Sequence, residues 1–218
     1  MRTVVFDLDG TLADTSADLL AAANACLPGG AVLGPGDALT AFHGGRAMLR
    51  LGFTRLGRVW SEADVDAAYP VLLAAYREAI AVHTTLYPGA MAAVEALKSQ
   101  GFAVAICTNK PEALAEQLLR HLGIRAAFGA LIGADTLPTR KPDAAPYVAA
   151  VTRAGGIVAR SMLVGDTDTD RATGRAAGVP VALVTFGPAG HAVADLAPEA
   201  LLHHFDDLPE LADRLMPA

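Results

Sequence analysis

The chain places acidic side chains where apolar runs end. "VVFDLDGTLADT" (4–15) carries Asp7 and Asp9 directly after such a run, followed by Gly10 and Thr11. "SMLVGDTDTDRATG" (161–174) repeats the arrangement with Asp166, Asp168 and Asp170. Between them, "FAVAICTNK" (102–110) ends in Thr108, Asn109 and Lys110, and "TRKPDAAP" (139–146) supplies Arg140 and Lys141. Carboxylates gathered in one place repel one another and require a cation. Mg²⁺ suits them, being a hard ion that takes one or two carboxylates together with phosphate and water oxygens. A metal, a hydroxyl, a lysine and exposed backbone N–H groups suit phosphoryl transfer, which needs charge neutralised around the equatorial oxygens more than it needs covalent chemistry. Each part also has an ordinary reading alone. "DLDG" is a turn, Thr108 caps the helix that follows, Lys141 is a surface lysine, and "GDTDTD" lacks the glycine and distal glutamate of an EF-hand. Four such parts in this order, each after or near a buried strand, point to one site.

These residues need elements that bring strand ends together. Short runs rich in Val, Ile and Phe recur at 3–6, 102–107, 130–133, 161–165, 179–186 and 201–205, as expected for strands buried on both faces. Helical segments alternate with them. Pro88 and Pro111 stand where a first helical residue is expected, and Gly101 and Gly123 where a C-terminal glycine is expected. The alternation predicts an α/β, Rossmann-like parallel sheet with helices on both faces. In such sheets ligands bind beyond the carboxyl ends of the strands, where the acids, Thr108 and Lys141 fall.

Residues 15–83 interrupt the pattern and contain no convincing strand. They read as three helices, beginning near Thr15 or Ser16, at "GGRAMLRLGFTRLG" and at Ser61, with Pro70 a kink or boundary in the last and 27–37 a loop. The expected organisation is an all-helical insert, 15–83, in a catalytic core of 1–14 and 84–218. With 53% hydrophobic residues a sizeable core is expected, and a net charge of −6 without basic runs excludes a nucleic-acid binder. No segment reads as a targeting sequence, and the apolar stretch 71–82 contains Arg77 and Glu78, so no membrane span is expected. Cys26 and Cys107 form no Cys-x-x-Cys and read as reduced thiols of a cytoplasmic protein.

Four segments, "DLDGTLADT", "ICTNK", "RKPDAAP" and "VGDTDTDRATGRAAGVP", resemble the four motifs of the haloacid-dehalogenase superfamily, and the insert resembles its helical cap. "LYPGA", "ICTNKPEALAEQLL", "GADTLPTRKPDAAP" and "VTFG" narrow the resemblance to phosphatases similar to phosphoglycolate phosphatase. The resemblance implies that Asp7 is a nucleophile forming an aspartyl-phosphate, and that Asp9 is general acid and then general base. It implies a metal site of Asp7, the Asp9 carbonyl and Asp166, with Asp170 orienting the metal shell and Gly10 and Thr11 supporting it. Thr108 and the backbone around Leu8 and Asn109 then bind phosphate, and Lys141 neutralises Asp7 and the transferring group. The implied partner is a small phosphorylated metabolite, and the chain a monomer or homodimer. In the insert, "FHGGRAMLRLG" (42–52) invites a substrate-selecting role for His43, Gly44, Gly45 and Arg46, Arg46 holding a carboxylate bidentately; a plain interhelical turn is the other reading.

Thr167 stands where serine is usual in the family, Ala144 where proline is common, and Pro188 where an aromatic residue is frequent. None removes a catalytic group. The alternatives within the superfamily are a sugar phosphomutase, pyrophosphatase or nucleotidase. A 2-haloacid dehalogenase needs no acid at Asp9, and a non-catalytic phosphate sensor needs no complete set of catalytic groups.

Overall fold

The computed structural model describes residues 1–216. The chain divides into two compact units, Met1–Ala13 with Leu86–Ala218, and Asp14–Thr85. Among the described residues the strands are β1 (Thr3–Phe6), β2 (Ala13–Asp14), β3 (Thr85–Leu86), β4 (Ala103–Cys107), β5 (Ala130–Ile132), β6 (Ser161–Gly165), β7 (Val181–Val184) and β8 (Ala200–Leu202). The helices are α1 (Ser16–Ala25), α2 (Ala38–Phe42), α3 (Gly45–Arg55), α4 (Glu62–Glu78), α5 (Ala90–Ser99), α6 (Glu112–His121), α7 (Ala144–Arg153), α8 (Asp168–Ala177) and α9 (Leu208–Leu215).

In the first unit six strands form a parallel sheet in the order β5-β4-β1-β6-β7-β8. Successive side chains of a strand point to opposite faces, and Val4, Val5 and Phe6 are all fully buried, so both faces of β1 are covered. On one face Val5, Ala105, Leu163 and Leu183 pack with Tyr147, Ala150 and Val151 of α7. This is the α/β sheet expected from the sequence. Within this sheet the chain runs from β1 to β4 and β5 on one side, and from β6 to β7 and β8 on the other. The connections therefore diverge between β1 and β6, opening a crevice at their carboxyl ends.

The helix punctuation is partly as expected. Gly101 and Gly123 follow α5 and α6 with φ of 81° and 72°, the left-handed conformation that ends helices. Pro88 is not a first helical residue: α5 starts at Ala90, with Gly89 before it at φ 79°. Pro111 likewise precedes Glu112, the first residue of α6.

The second unit is built from α1 to α4. Pro70 lies inside α4 and does not end it. Its missing N–H removes one bond in the helix, but Val65, Leu72 and Tyr76 are buried on either side, so packing holds the helix through the break. β2 and β3, absent from the sequence expectation, pair with each other where the chain leaves and re-enters the first unit. Within the second unit, the buried Asp18 carboxylate accepts the His83 and Thr84 N–H groups and the Thr84 hydroxyl at 2.7–3.0 Å. This ties the first turn of α1 to the end of the unit. No helix among the described residues is long and apolar enough to cross a membrane.

Close packing of α8 on β7 depends on Gly174, where a Cβ would stand 2.0 Å from Val181 Cγ2. Gly174→Ala gains roughly 1 kcal/mol of helix propensity but overpacks a filled core, at about 1–3 kcal/mol. The expected outcome in urea unfolding is net destabilisation. Val181→Ala should relieve the clash, so that the double variant is more stable than the sum of the single losses.

Candidate active site

Three strand ends and one helix start build a single cluster in the first unit. The Asp7 N–H still bonds to Val164 O across to β6 at 2.9 Å, so Asp7 leaves the sheet beside β6. The chain then turns sharply: Gly10 has φ 84°, and Leu8 O accepts the N–H groups of Thr11, Leu12 and Ala13. Leu8 itself is fully buried. Asp166 follows β6 directly, and Thr11 Oγ1 donates to its Oδ1 at 3.0 Å. Asp170 comes from the first turn of α8. Its Oδ2 accepts the Asp166 and Thr167 N–H groups at 3.2 Å and the Thr167 hydroxyl at 2.8 Å. Thr167 caps α8 as well, accepting from Asp170 N; it performs both tasks open to a serine hydroxyl there.

Lys141 lies between two of these acids. Its Nζ donates to Asp170 Oδ1 at 2.6 Å and stands 3.0 Å from Asp7 Oδ1. Asp7 Oδ1 is buried and meets Lys141 as an ion pair, without a hydrogen bond of regular geometry. Asp7, Asp166 and Asp170 each bring a carboxylate oxygen within 4.8 Å of the others. Three carboxylates against one ammonium leave the ionised cluster two positive charges short.

The protonation equilibria respond to that shortage. Burial pushes Asp7 up to about 6; Lys141 pulls it down, while Asp170 and Asp9 push it up further. Burial, then Asp170 and Asp7, push Asp166 well above the usual carboxylate range. For Lys141, burial works to lower the ammonium, and the adjoining Asp170 and Asp7 carboxylates outweigh it and raise it. Cys107, behind the site, is pushed up to about 12 chiefly by burial and is a neutral thiol.

A buried carboxylate oxygen without a regular hydrogen bond, a hard all-oxygen donor set and a deficit of two charges fit a divalent cation of the Mg²⁺ type. Both Asp170 oxygens are already engaged by Lys141 and by the Asp166–Thr167 donors. The less engaged oxygens are those of Asp7 and of Asp166, whose Oδ1 accepts from Thr11.

Asp9 is not in this carboxylate group. Both its oxygens accept from Lys110 Nζ, at 2.8 and 3.0 Å. Lys110 is a residue that sequence reasoning misses; the one sign of it there is its place at the end of "ICTNK". Thr108 is buried at the end of β4, its N–H bonded to Ile132 O and its hydroxyl accepting the Lys110 N–H at 3.2 Å. It does not cap α6, whose N-terminal cap is Pro111. The Asn109 side chain donates to Lys141 O at 3.0 Å and so holds the backbone from which Lys141 projects.

His43, Gly44, Gly45 and Arg46 belong to the second unit. α3 starts at Gly45, with Gly44 before it at φ 95°. His43 Nδ1 bonds to Leu39 O at 2.7 Å. Arg46 is ion-paired to Asp66, and its guanidinium lies 4.6 Å from the Tyr69 ring centre. In this structure the Arg46 charge is met inside its own unit.

The model of the haloacid dehalogenase-like hydrolases matches residues 1–178. The chain is 39% identical to a phosphoglycolate phosphatase of Mesorhizobium japonicum, over 99% of this chain and 96% of that one. It is 38% identical to a phosphoglycolate phosphatase of Agrobacterium fabrum, over 97% and 93%. Among solved structures, a protein from Haemophilus somnus described as a predicted phosphoglycolate phosphatase superposes with a TM-score of 0.79 at 26% identity, over 97% of each chain. With its motifs converging at the β1–β6 crevice and a family match across most of its length, the chain belongs to the haloacid dehalogenase-like hydrolases.

Proposed function

We propose that the protein is a Mg²⁺-dependent phosphatase of small phosphomonoesters, with 2-phosphoglycolate as the substrate. The observation that carries this reading is Asp7 Oδ1, buried at the sheet's switch point and ion-paired to the Lys141 ammonium without a hydrogen bond of regular geometry. The relatives that cover the whole chain and are named phosphoglycolate phosphatase support the choice of substrate.

In the first half-reaction an Asp7 carboxylate oxygen attacks phosphorus, and the bond to the leaving oxygen breaks. Asp9 gives its proton to the departing alkoxide, leaving an aspartyl-phosphate on Asp7. In the second, Asp9 takes a proton from water, the water oxygen attacks phosphorus, and the bond to Asp7 breaks to release phosphate. Thr108, Lys141 and the N–H groups of Leu8 and Asn109 hold the phosphoryl oxygens throughout. Asp7, the Asp9 carbonyl and Asp166 would hold Mg²⁺, which would supply the charge neutralisation that Lys141 alone does not. Asp170, Thr11 and the turn at Gly10 keep these groups in place. The second unit serves as a cap that excludes water and selects the substrate, with Arg46 exchanging Asp66 for the substrate carboxylate. That exchange is undemanding because the pair is exposed, and exposed pairs contribute little.

Metal binding is expected to show in stability as well as turnover. Asp7 is raised from 3.8 to about 6 in the folded protein, so the native state binds more protons than the unfolded chain between those values. Stability of the metal-free protein should therefore fall as pH rises through that window and recover on acidification. A Mg²⁺ concentration a hundred times the Kd at pH 7.5 should add roughly 2.7 kcal/mol there, and the same concentration less at pH 5.5, because protons compete for the ligands. Thermal unfolding with EDTA and with Mg²⁺ measures both. A Tm indifferent to Mg²⁺ counts against the metal site.

Asp7→Asn should leave a folded protein without turnover and without the acid-stable phosphoenzyme that rapid quenching traps in the parent, since an amide is a poor nucleophile. Near-normal turnover would place the nucleophile elsewhere.

Against a panel of phosphomonoesters with Mg²⁺, phosphoglycolate should give the highest kcat/KM. Arg46→Ala should then raise KM for phosphoglycolate while leaving p-nitrophenyl phosphate almost unchanged. Equal effects on both substrates would remove Arg46 from substrate selection.

A further inference from the structure

We propose that Lys110 is the positioning residue for Asp9, setting where that carboxylate meets the leaving group and the attacking water. The inference rests on the reading of Asp9 as general acid and base. Its own support is geometric. Lys110 Nζ reaches both Asp9 oxygens, at 2.8 and 3.0 Å, and the two side chains are 3% and 16% exposed. Two contacts from one ammonium, one to each oxygen, hold the carboxylate in place at the end of its side chain. Each carboxylate oxygen has two lone pairs, so the contacts leave capacity for a proton.

Stability is a weak account of such a pair. Burying an ammonium and a carboxylate carries a desolvation penalty that an apolar side chain of the same length avoids, so a buried pair is poor evidence of net stabilisation. Placement accounts for it better, because Lys110 is itself fixed at three points. Its N–H bonds to Thr108 Oγ1 at 3.2 Å, its carbonyl accepts Ala134 N at 2.9 Å, and its ammonium meets Asp9. Thr108, the proposed phosphate ligand, and Asp9, the proposed proton carrier, are thus joined through one residue. The distance between phosphate and proton carrier is set by a rigid strap at the end of β4, and not only by the turn after β1. This matters for chemistry, since a proton-transfer group must sit within hydrogen-bond reach of the atom it serves.

The test compares Lys110→Met, Lys110→Arg and Asp9→Asn in the full-length protein with Mg²⁺. Two substrates are used: phosphoglycolate, whose alkoxide needs a proton to leave, and p-nitrophenyl phosphate, whose phenolate does not. Lys110→Met should lower kcat for phosphoglycolate by roughly 10²-fold, the lower end of a lost acid/base, with KM little changed. With p-nitrophenyl phosphate it should release one p-nitrophenolate per enzyme in a burst and accumulate phosphoenzyme, because only the water-activating step then needs Asp9. Lys110→Arg, whose planar fork still reaches both oxygens, should recover most of the loss. The Lys110→Met, Asp9→Asn double variant should be no worse than Asp9→Asn alone, since both act on one group. Lys110→Gln, which keeps one donor, serves the same comparison if Lys110→Met does not fold. An unchanged kcat, a loss confined to KM, or additive losses in the double variant would overturn the proposal; a loss confined to KM would make Lys110 a substrate ligand. Full turnover by Asp9→Asn would instead remove the reading of Asp9 on which the proposal rests.

Discussion

The site is organised around a buried ammonium between two buried carboxylates, Lys141 between Asp170 and Asp7. An ammonium in that position needs its acids close, and the surrounding structure keeps them close. Asn109 holds the Lys141 carbonyl, and Asp143 caps the helix that follows. Gly165 lets Asp170 fold back over the end of β6, since a Cβ there would stand 2.4 Å from Asp170 Cβ. Yet one lysine cannot balance three carboxylates. The shortage appears as burial and like charge raising Asp7 and Asp166 together. That deficit of positive charge is one that a divalent cation can fill.

Much of the fold was legible because a parallel sheet covered on both faces writes its strands as unbroken apolar runs. β1 and β6 were read to the residue for that reason. The run at 179–186 is longer than β7, which spans only Val181–Val184: Val179 follows the Gly178 cap of α8, its N–H bonded to Gly174 O, and a valine just past a helix looks like a valine opening a strand. β2 and β3 have two residues each, too few for any period to register. Pro70 misled in the other direction, since propensity weighs the lost hydrogen bond and cannot weigh the burial of Leu72 and Tyr76.

Legibility of the site followed the same boundary between local and distant. Asp7, Thr108 and Asp166 stand out in the sequence because each directly follows an apolar run, and strand ends are where such sheets bind ligands. Partnerships across the chain could not. Lys110 and Asp9 are 101 residues apart, and Arg46 and Asp66 are 20 apart on two different helices. Pairing them requires the strand order and the helix register, neither of which sequence spacing contains. Arg46 therefore read as an unattached cation, while the structure engages it with Asp66 and Tyr69. Lys110 read as an undistinguished residue after a strand, while a hydroxyl-stabilised turn at Thr108 carries its ammonium to Asp9.

Two carboxylates leaving one strand two residues apart ought to behave as a coupled pair. Acids that share a site force one of the two to keep its proton, and a shared proton would blur any division between nucleophile and proton carrier. The fold prevents this by drawing them toward different strands. After the Gly10 turn, Asp9 is taken by Lys110 from the end of β4. Asp7 is left with Lys141 and with the acids that follow β6. β4 and β6 flank β1 on opposite sides, so Asp9 takes its cation from the end of β4, while Asp7 lies beside the acids that follow β6 and meets Lys141 from the segment between β5 and α7. What remains of the coupling is the lesser push of Asp9 on Asp7, ranked below burial, Lys141 and Asp170. The position of β1 between those two strands thus lets "DLD" supply two acids with separate environments, which a pair of adjacent carboxylates on an edge strand would lack.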